Sequence, residues 1–183
     1  LVFNEAEQPF YSALRLPEHL RQKLIVLQAP SKTYNIAGMG YAFAVIENDS
    51  TRRTFCATRG HTLSEINCLA FYAAEAAYRD GEPWRQELLT YLRKNRDTIT
   101  DFVRNEMPGC SIPDIEATYL ALVDCRGAGL ENPSAYFEKD AQIWVSDAAP
   151  FGSPGHFRFN YGCPHARVLE GLEKINVSFK RFI

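Results

Sequence analysis

At 183 residues, 46% of them hydrophobic, the chain can bury a sizeable core and has the length of one domain or two small ones. Its formal net charge of −2, with no Lys/Arg stripe interleaved with aromatics, gives no basic field for nucleic acid, and no apolar run approaches the roughly 20 residues needed to span a bilayer. Five cysteines, an odd number with no C-x-x-C pair and no histidine at zinc-ligand spacing, exclude a disulfide framework and a metal site as expectations and fit a reduced, cytoplasmic setting.

In chain order, residues 1–10 begin on Leu1-Val2-Phe3 without a polar lead-in and without the basic region of a secretory signal. Residues 18–23 (EHLRQK) read as a short amphipathic helix. Leu24, Ile25, Val26 and Leu27 form a continuous apolar run, the pattern of a short strand covered on both faces, and Ala29-Pro30-Ser31 stops it. Gly38 and Gly40 mark tightly bent backbone before a second strand at 41–46 (YAFAVI). Asn48-Asp49-Ser50 then caps a helix reaching Thr58.

Thr62-Leu63-Ser64-Glu65 has capping-box spacing, and Leu63, Ile66, Leu69, Ala70, Ala73 and Ala76 continue at helical period until Asp80-Gly81, which predicts a buried helix. Pro83 opens a longer one. Trp84, Leu88, Leu92, Ile99, Phe102, Val103 and Met107 lay an apolar stripe along it as far as Pro108-Gly109. About 22 residues at 1.5 Å each span roughly 33 Å, longer than a small domain requires. Strands follow at 118–123, 143–145 and 157–161, with helices at 133–140 and 166–175, a mixture that fits a compact α+β domain. No internal repeat or low-complexity stretch is present.

Two residues carry candidate chemistry. Lys32 falls where the first strand stops. An amine that is partly desolvated or beside other cations loses its proton near neutral pH and can form a Schiff base with a carbonyl, although Ser-Lys-Thr also fits a solvated turn lysine. Arg158, between Phe157 and Phe159 on a half-buried strand, has both neighbours on the opposite face, so its own face is polar or lined for an anion. A guanidinium meets a carboxylate through two parallel hydrogen bonds, and a structural ion pair gives the same pattern. Arg52 and Arg53 can contact an anion or form a solvated helix face, while Cys68, Cys125 and Cys163 read as packing residues.

The run APSKTYNIAGMG, with Lys32 at its centre, resembles the cofactor-lysine segment of class I/II aminotransferase-like enzymes of fold type I, and most closely the MalY/PatB group of carbon–sulfur lyases. Three later stretches fit the same group in the same order: GHTLSEINCLAFYAAEAAYRDGEPW from Gly60, IEATYLALVDCR from Ile115, and APFGSPGHFRFNYGCPHARVLEGLEKI from Ala149. The resemblance implies the C-terminal portion of a pyridoxal-phosphate-dependent transferase fold of aspartate aminotransferase type. On that reading, 1–92 is part of the α/β large domain, 93–183 is the α+β small domain, and the long helix joins them. It also implies that the residues matching 1–11 follow a strand bearing the aspartate that pairs with the pyridinium nitrogen, and that a preceding half supplies the glycine-rich phosphate turn and the stacking ring.

The same resemblance implies roles. Lys32 is the cofactor lysine and proton carrier for pyridoxal 5'-phosphate, Ser31 offers a hydroxyl to the cofactor, and Arg158 holds the α-carboxylate of an amino-acid substrate. Relatives with a serine or glycine three residues before the lysine and an arginine eight after it are matched here by Ala29 and Gly40, which agrees with the lyase group rather than with typical aminotransferases. Tyr34 and Tyr119 are pocket-lining or core residues. The expected activity is β-elimination from cystathionine or another S-substituted cysteine, giving thiol, pyruvate and ammonia. Transamination is the alternative, as is a non-catalytic chain lacking half of the active site. A cytoplasmic homodimer, with no nucleic-acid or membrane partner, is the expected assembly.

Overall fold

The computed structural model describes residues 1–3 and 10–183. The remainder of the N-terminal stretch matched to the family, 4–9, lies outside the described residues. The described chain forms two units, one of Leu1 and 10–87, the other of Val2, Phe3 and 88–183.

In the first unit a 3-10 turn over Ala13–Arg15 is capped by the Ser12 hydroxyl, which accepts from the Leu14 N–H at 3.2 Å. Then come α1 (Glu18–Arg21), β1 (Val26–Gln28) and β2 (Phe43–Val45), the strands pairing antiparallel with Leu27 opposite Ala44. Helix α2 (Asp49–Arg59) starts where the sequence places a cap: the Asn48 side chain accepts from the Thr51 N–H at 2.9 Å. Helix α3 (Cys68–Asp80) and the first residues of α4 (Glu82–Glu106) complete the unit.

Three expectations fail here. The first strand is not covered on both faces, since Leu27 is 71% exposed and Ile25 46%. Among the described residues the sheet has two strands, so β1 lacks there the neighbouring strands and the second layer that bury a central strand. Helix α3 starts later than the capping-box spacing predicts. The residues after Gly60, whose φ is 49°, turn the chain out of α2, and Asn67 becomes the cap, accepting from the Leu69 N–H at 2.8 Å. Nor is α3 a buried helix: Ala70 and Ala74 are buried while Leu69, Phe71, Tyr72 and Cys68 are exposed.

The second unit takes the remainder of α4, which at 25 residues is the long helix expected, then β3 (Leu120–Asp124), α5 (Pro133–Asp140), β4 (Ser146–Asp147), β5 (His156–Asn160) and α6 (His165–Phe182). The strands form an antiparallel sheet in the order β3-β5-β4, with Arg158 opposite Leu122 on one side and Ser146 on the other. Ala121, Val123, Phe157 and Phe159 are buried on one face of it. The helices add Leu92, Ile99 and Val103 from α4, Phe137 from α5, and Val168, Leu172, Ile175 and Phe179 from α6 to the same core. Each large side chain removed from water in this way contributes about 1.5–3 kcal/mol.

Helix α6 runs seven residues beyond the expected Ile175, because Phe179 keeps the apolar period past the buried polar Ser178. Strand β4 begins after the expected 143–145, at Ser146, the first residue in register with β5.

Candidate active site

Lys32 lies in a turn between β1 and β2 that its neighbours fix. The Tyr34 N–H donates to Pro30 O and the Ile36 N–H to Ser31 O, each at 2.9 Å, and Asn35 closes the turn with φ 55°. Tyr34 anchors the turn from below: its ring meets Tyr78 of α3 edge-on at 5.7 Å and lies against Gly81, where an added Cβ would come within 2.9 Å of it. Tyr41, Phe43 and Phe71 extend this ring cluster through edge-on and tilted contacts. Burial, then the neighbouring Tyr34 and Tyr41, raises the Tyr78 hydroxyl above its ordinary value. Lys32 itself is exposed, and among the described residues neither its amine nor the half-buried Ser31 hydroxyl has a partner. This is a lysine free to meet a carbonyl, and it fits a Schiff-base cofactor.

Arg158 occupies the middle of β5 in the second unit, on the face opposite the buried Phe157 and Phe159. Its guanidinium carbon lies 3.8 Å from the centroid of the Phe151 ring, a cation–π stack, and its Nε is buried with no hydrogen-bond partner. Among the described residues no carboxylate pairs with it. The acid on the same face is otherwise committed: Asp124 accepts three bonds from the Arg126 side chain, at 3.0, 3.2 and 2.7 Å, and lies 3.5 Å from His156 Nε2. Hydrogen bonding to Arg126, reinforced by the His156 charge, holds the Asp124 carboxyl down at about 2. A stacked guanidinium with an orphaned N–H beside a satisfied acid suits an incoming carboxylate better than an internal ion pair.

Other sequence candidates end elsewhere. Arg52 is paired with Asp49 and donates to Ile46 O at 2.8 Å, so it stabilises the start of α2 rather than standing free for an anion. Tyr119 lies over Gly162, at a distance of 3.1 Å from the Cβ that any other residue there would carry.

Three contributors escaped the sequence reading. Phe151 ends a short turn, Ala149–Phe151, that leaves through Gly152 at φ 86°, and only a structure could lay its ring under Arg158. Asn95 interrupts the apolar stripe of α4 and is fully buried. Its amide donates to the carbonyls of Tyr161 and Cys163, both at 2.9 Å, and its oxygen faces His165 Nδ1 at 2.8 Å, so it pins the segment that follows β5. An asparagine at a core position of a helix was the available signal. Thr118 adopts φ 72°, a conformation that costs a β-branched residue about 1–3 kcal/mol, and the Tyr161 hydroxyl holds it by donating to its carbonyl at 3.0 Å.

Residues 1–175 match the model of aminotransferase class I and II. The chain belongs to the class I and II aminotransferase family. Within it, the chain is 30% identical over 183 residues to a Bacillus subtilis protein named cystathionine beta-lyase PatB, covering 97% of this chain and 46% of that one. Cystalysin from Treponema denticola, a crystal structure that contains a pyridoxal 5'-phosphate cofactor, superposes with a TM-score of 0.90 at 29% identity, covering 100% of this chain and 47% of cystalysin. A structure of OvoB superposes with a TM-score of 0.85 at 37% identity, covering 89% and 42%. The fold is thus that of the aminotransferase family, and the chain spans just under half the length of these relatives. Among the described residues no group of His, Cys, Asp and Glu side chains could hold a metal ion, and no helix is long and apolar enough to cross a membrane.

Proposed function

We propose that this chain carries the cofactor lysine and the substrate-carboxylate arginine of a pyridoxal-phosphate-dependent carbon–sulfur lyase. Its reaction would be β-elimination from cystathionine or another S-substituted cysteine, giving a thiol, pyruvate and ammonia. The observation that carries this reading is the Lys32 amine, exposed and unpartnered among the described residues in a turn held by Tyr34. Relatives named cystathionine beta-lyase, at 30% and 27% identity, supply the lyase class.

In this reading Lys32 holds the cofactor through its carbonyl and the Ser31 hydroxyl contributes a hydrogen bond to it. When bound, the cofactor supplies the electron sink that makes an amino-acid α-proton removable. Lys32 Nζ would take that proton as a general base. Arg158 fixes the substrate by a two-pronged grip on its α-carboxylate, with Phe151 orienting the fork. Residues 1–92 correspond in this reading to the C-terminal part of the cofactor-binding large domain and 93–183 to the small domain, within a cytoplasmic homodimer.

A second reading is favoured by the exposed Leu27, Leu69, Phe71 and Tyr72: on its own the 183-residue chain is a scaffold that stays inactive until this apolar surface is covered. One experiment separates the two. The chain and its Lys32→Ala variant are incubated with pyridoxal phosphate, freed of excess and reduced with borohydride. A retained absorbance band in the unsubstituted chain, with a cofactor adduct on the peptide containing Lys32, supports the lyase reading and leads to assaying pyruvate release from cystathionine. A folded chain that retains no cofactor supports the scaffold, and pyridoxal phosphate fixed equally in the Lys32→Ala variant removes Lys32 from its proposed role.

A further inference from the structure

Cys110 and Cys125 form a pair that the proposed lyase chemistry does not use. Cys110 follows the end of α4 and is half-buried, whereas Cys125 follows β3 directly and is fully buried. The two segments are held together on both sides. On one side Ser111 and Asp124 exchange two backbone hydrogen bonds of 2.9 Å, an antiparallel bridge whose next pair outward is Cys110 and Cys125. In a regular ladder that position is a non-hydrogen-bonded pair, whose Cα atoms stand about 4.5 Å apart. A disulfide accepts Cα separations of about 4.4–6.8 Å.

On the other side Gly109, at φ 81°, is pressed against the Gly127–Ala128 backbone so closely that a Cβ there would lie 2.8 Å from Gly127 O and from Ala128 N. The thiols themselves are unequal. Hydrogen bonding with Cys125 lowers the Cys110 thiol below its ordinary value, while the same interaction and burial raise that of Cys125. A half-buried sulfur whose thiol is lowered, beside a fully buried one whose thiol is raised, matches the division of labour between an attacking and a resolving thiol.

We propose that Cys110 and Cys125 are a redox site that closes to an intrachain disulfide by exchange with a low-molecular-weight disulfide. The Cys110 thiolate attacks one sulfur of the oxidant, whose S–S bond breaks and releases one thiolate. Cys125 then loses its proton and attacks the Cys110 sulfur, breaking the mixed disulfide and releasing the second thiol. Two protein thiols are oxidised and the oxidant is reduced to two thiols, so electrons and protons balance. The new bond staples the loop after α4 to the end of β3, next to Asp124 and its partners Arg126 and His156.

The test uses the 183-residue chain, oxidised glutathione as the probe, and labelling of the remaining thiols with N-ethylmaleimide in denaturant before trypsin digestion. Residues 105–126 form one tryptic peptide that contains both cysteines and no others. The expected product is that peptide unlabelled and lighter by two hydrogens, formed roughly tenfold or more faster in the native chain than in urea, where closing the loop must be paid for in chain entropy. In Cys125→Ser the expected product is a persistent glutathione adduct on Cys110, and in Cys110→Ser an unmodified Cys125. Persistent glutathione on Cys110 of the unsubstituted chain, full labelling of both thiols after oxidation, or equal rates in native and urea-unfolded chains would each overturn the proposal. If Cys125→Ser does not fold, the native-against-urea rates and Cys110→Ser decide alone.

Discussion

In the second unit Phe137, Phe157, Phe179 and Tyr161 are sealed between an antiparallel sheet and three helices, whereas in the first unit Leu27, Leu69, Phe71 and Tyr72 lie open to solvent on a two-stranded sheet and one helix. The buried set and, of the exposed one, Leu27 and Leu69 lie in apolar runs of strands and helices. The difference teaches that a period identifies the side chains that require cover, while the cover itself comes from whichever strands and helices pack against them. The second unit contains its own cover. Within the first unit, the aromatic cluster under the Lys32 turn packs well, and the outer faces of β1 and α3 do not.

The sharpest way to break this comparison is Phe157→Ala. Removing a ring that is 1% exposed and edge-on to Phe137 at 5.4 Å should destabilise the second unit by about 3–5 kcal/mol. Hydrogen exchange at the β3 and β5 amides would show it as lost protection, with the Lys32 turn unaffected. Next in size is Asn95→Leu, which leaves the Tyr161 and Cys163 carbonyls without their donor, at roughly 1–3 kcal/mol for each. A urea midpoint unchanged from the parent chain would show that those carbonyls do not depend on Asn95.

The Asp124 carboxyl gives a pH signature confined to the second unit. Its folded value of about 2, set first by Arg126, lies below the unfolded one, so it contributes stability that is present above about pH 4 and lost as pH falls toward 2. Asp124→Asn should flatten the acid limb of stability against pH between those values, measured by unfolding at a series of pH values. A smaller effect is expected for Phe151→Ala, which removes a stack worth roughly 0.5–1 kcal/mol and should leave the fold intact while speeding solvent exchange at Arg158 Nε. Smallest of all, Leu27→Ser should change stability by no more than about 0.5 kcal/mol, because its side chain is already in water. A loss of several kcal/mol there would mean that the isolated chain covers β1 by self-association, which sedimentation would reveal.

Much of this was legible in the chain. Asn48 as a cap, Pro133 opening α5, and the 3.6-residue stripe of α4 are local signals, and each falls where the residues place it. The Thr62-to-Glu65 capping box failed because a turn out of α2 competes for the same residues, and Asn67, nearer the apolar run, took the role. At the proposed site, alternation along 157–161 gave Arg158 its face and the family resemblance pointed to Lys32, but the ring beneath Arg158 was not deducible, since Phe151 belongs to a turn that neither period describes.

By itself the sequence determined the family, through motifs whose order survives along the chain, and the type of most elements, because caps and periods act over a few residues. Only the tertiary structure decided which apolar faces are covered, that Asp124 meets His156 while Arg158 has no carboxylate partner among the described residues, and that Cys110 meets Cys125 across a backbone bridge. The physical reason is range. Capping, periodicity and the Asp124–Arg126 pair are set by neighbours within one or two turns, whereas burial, the Asp124–His156 contact and the meeting of Cys110 with Cys125 are set by residues that the chain brings together from 15 or more positions away.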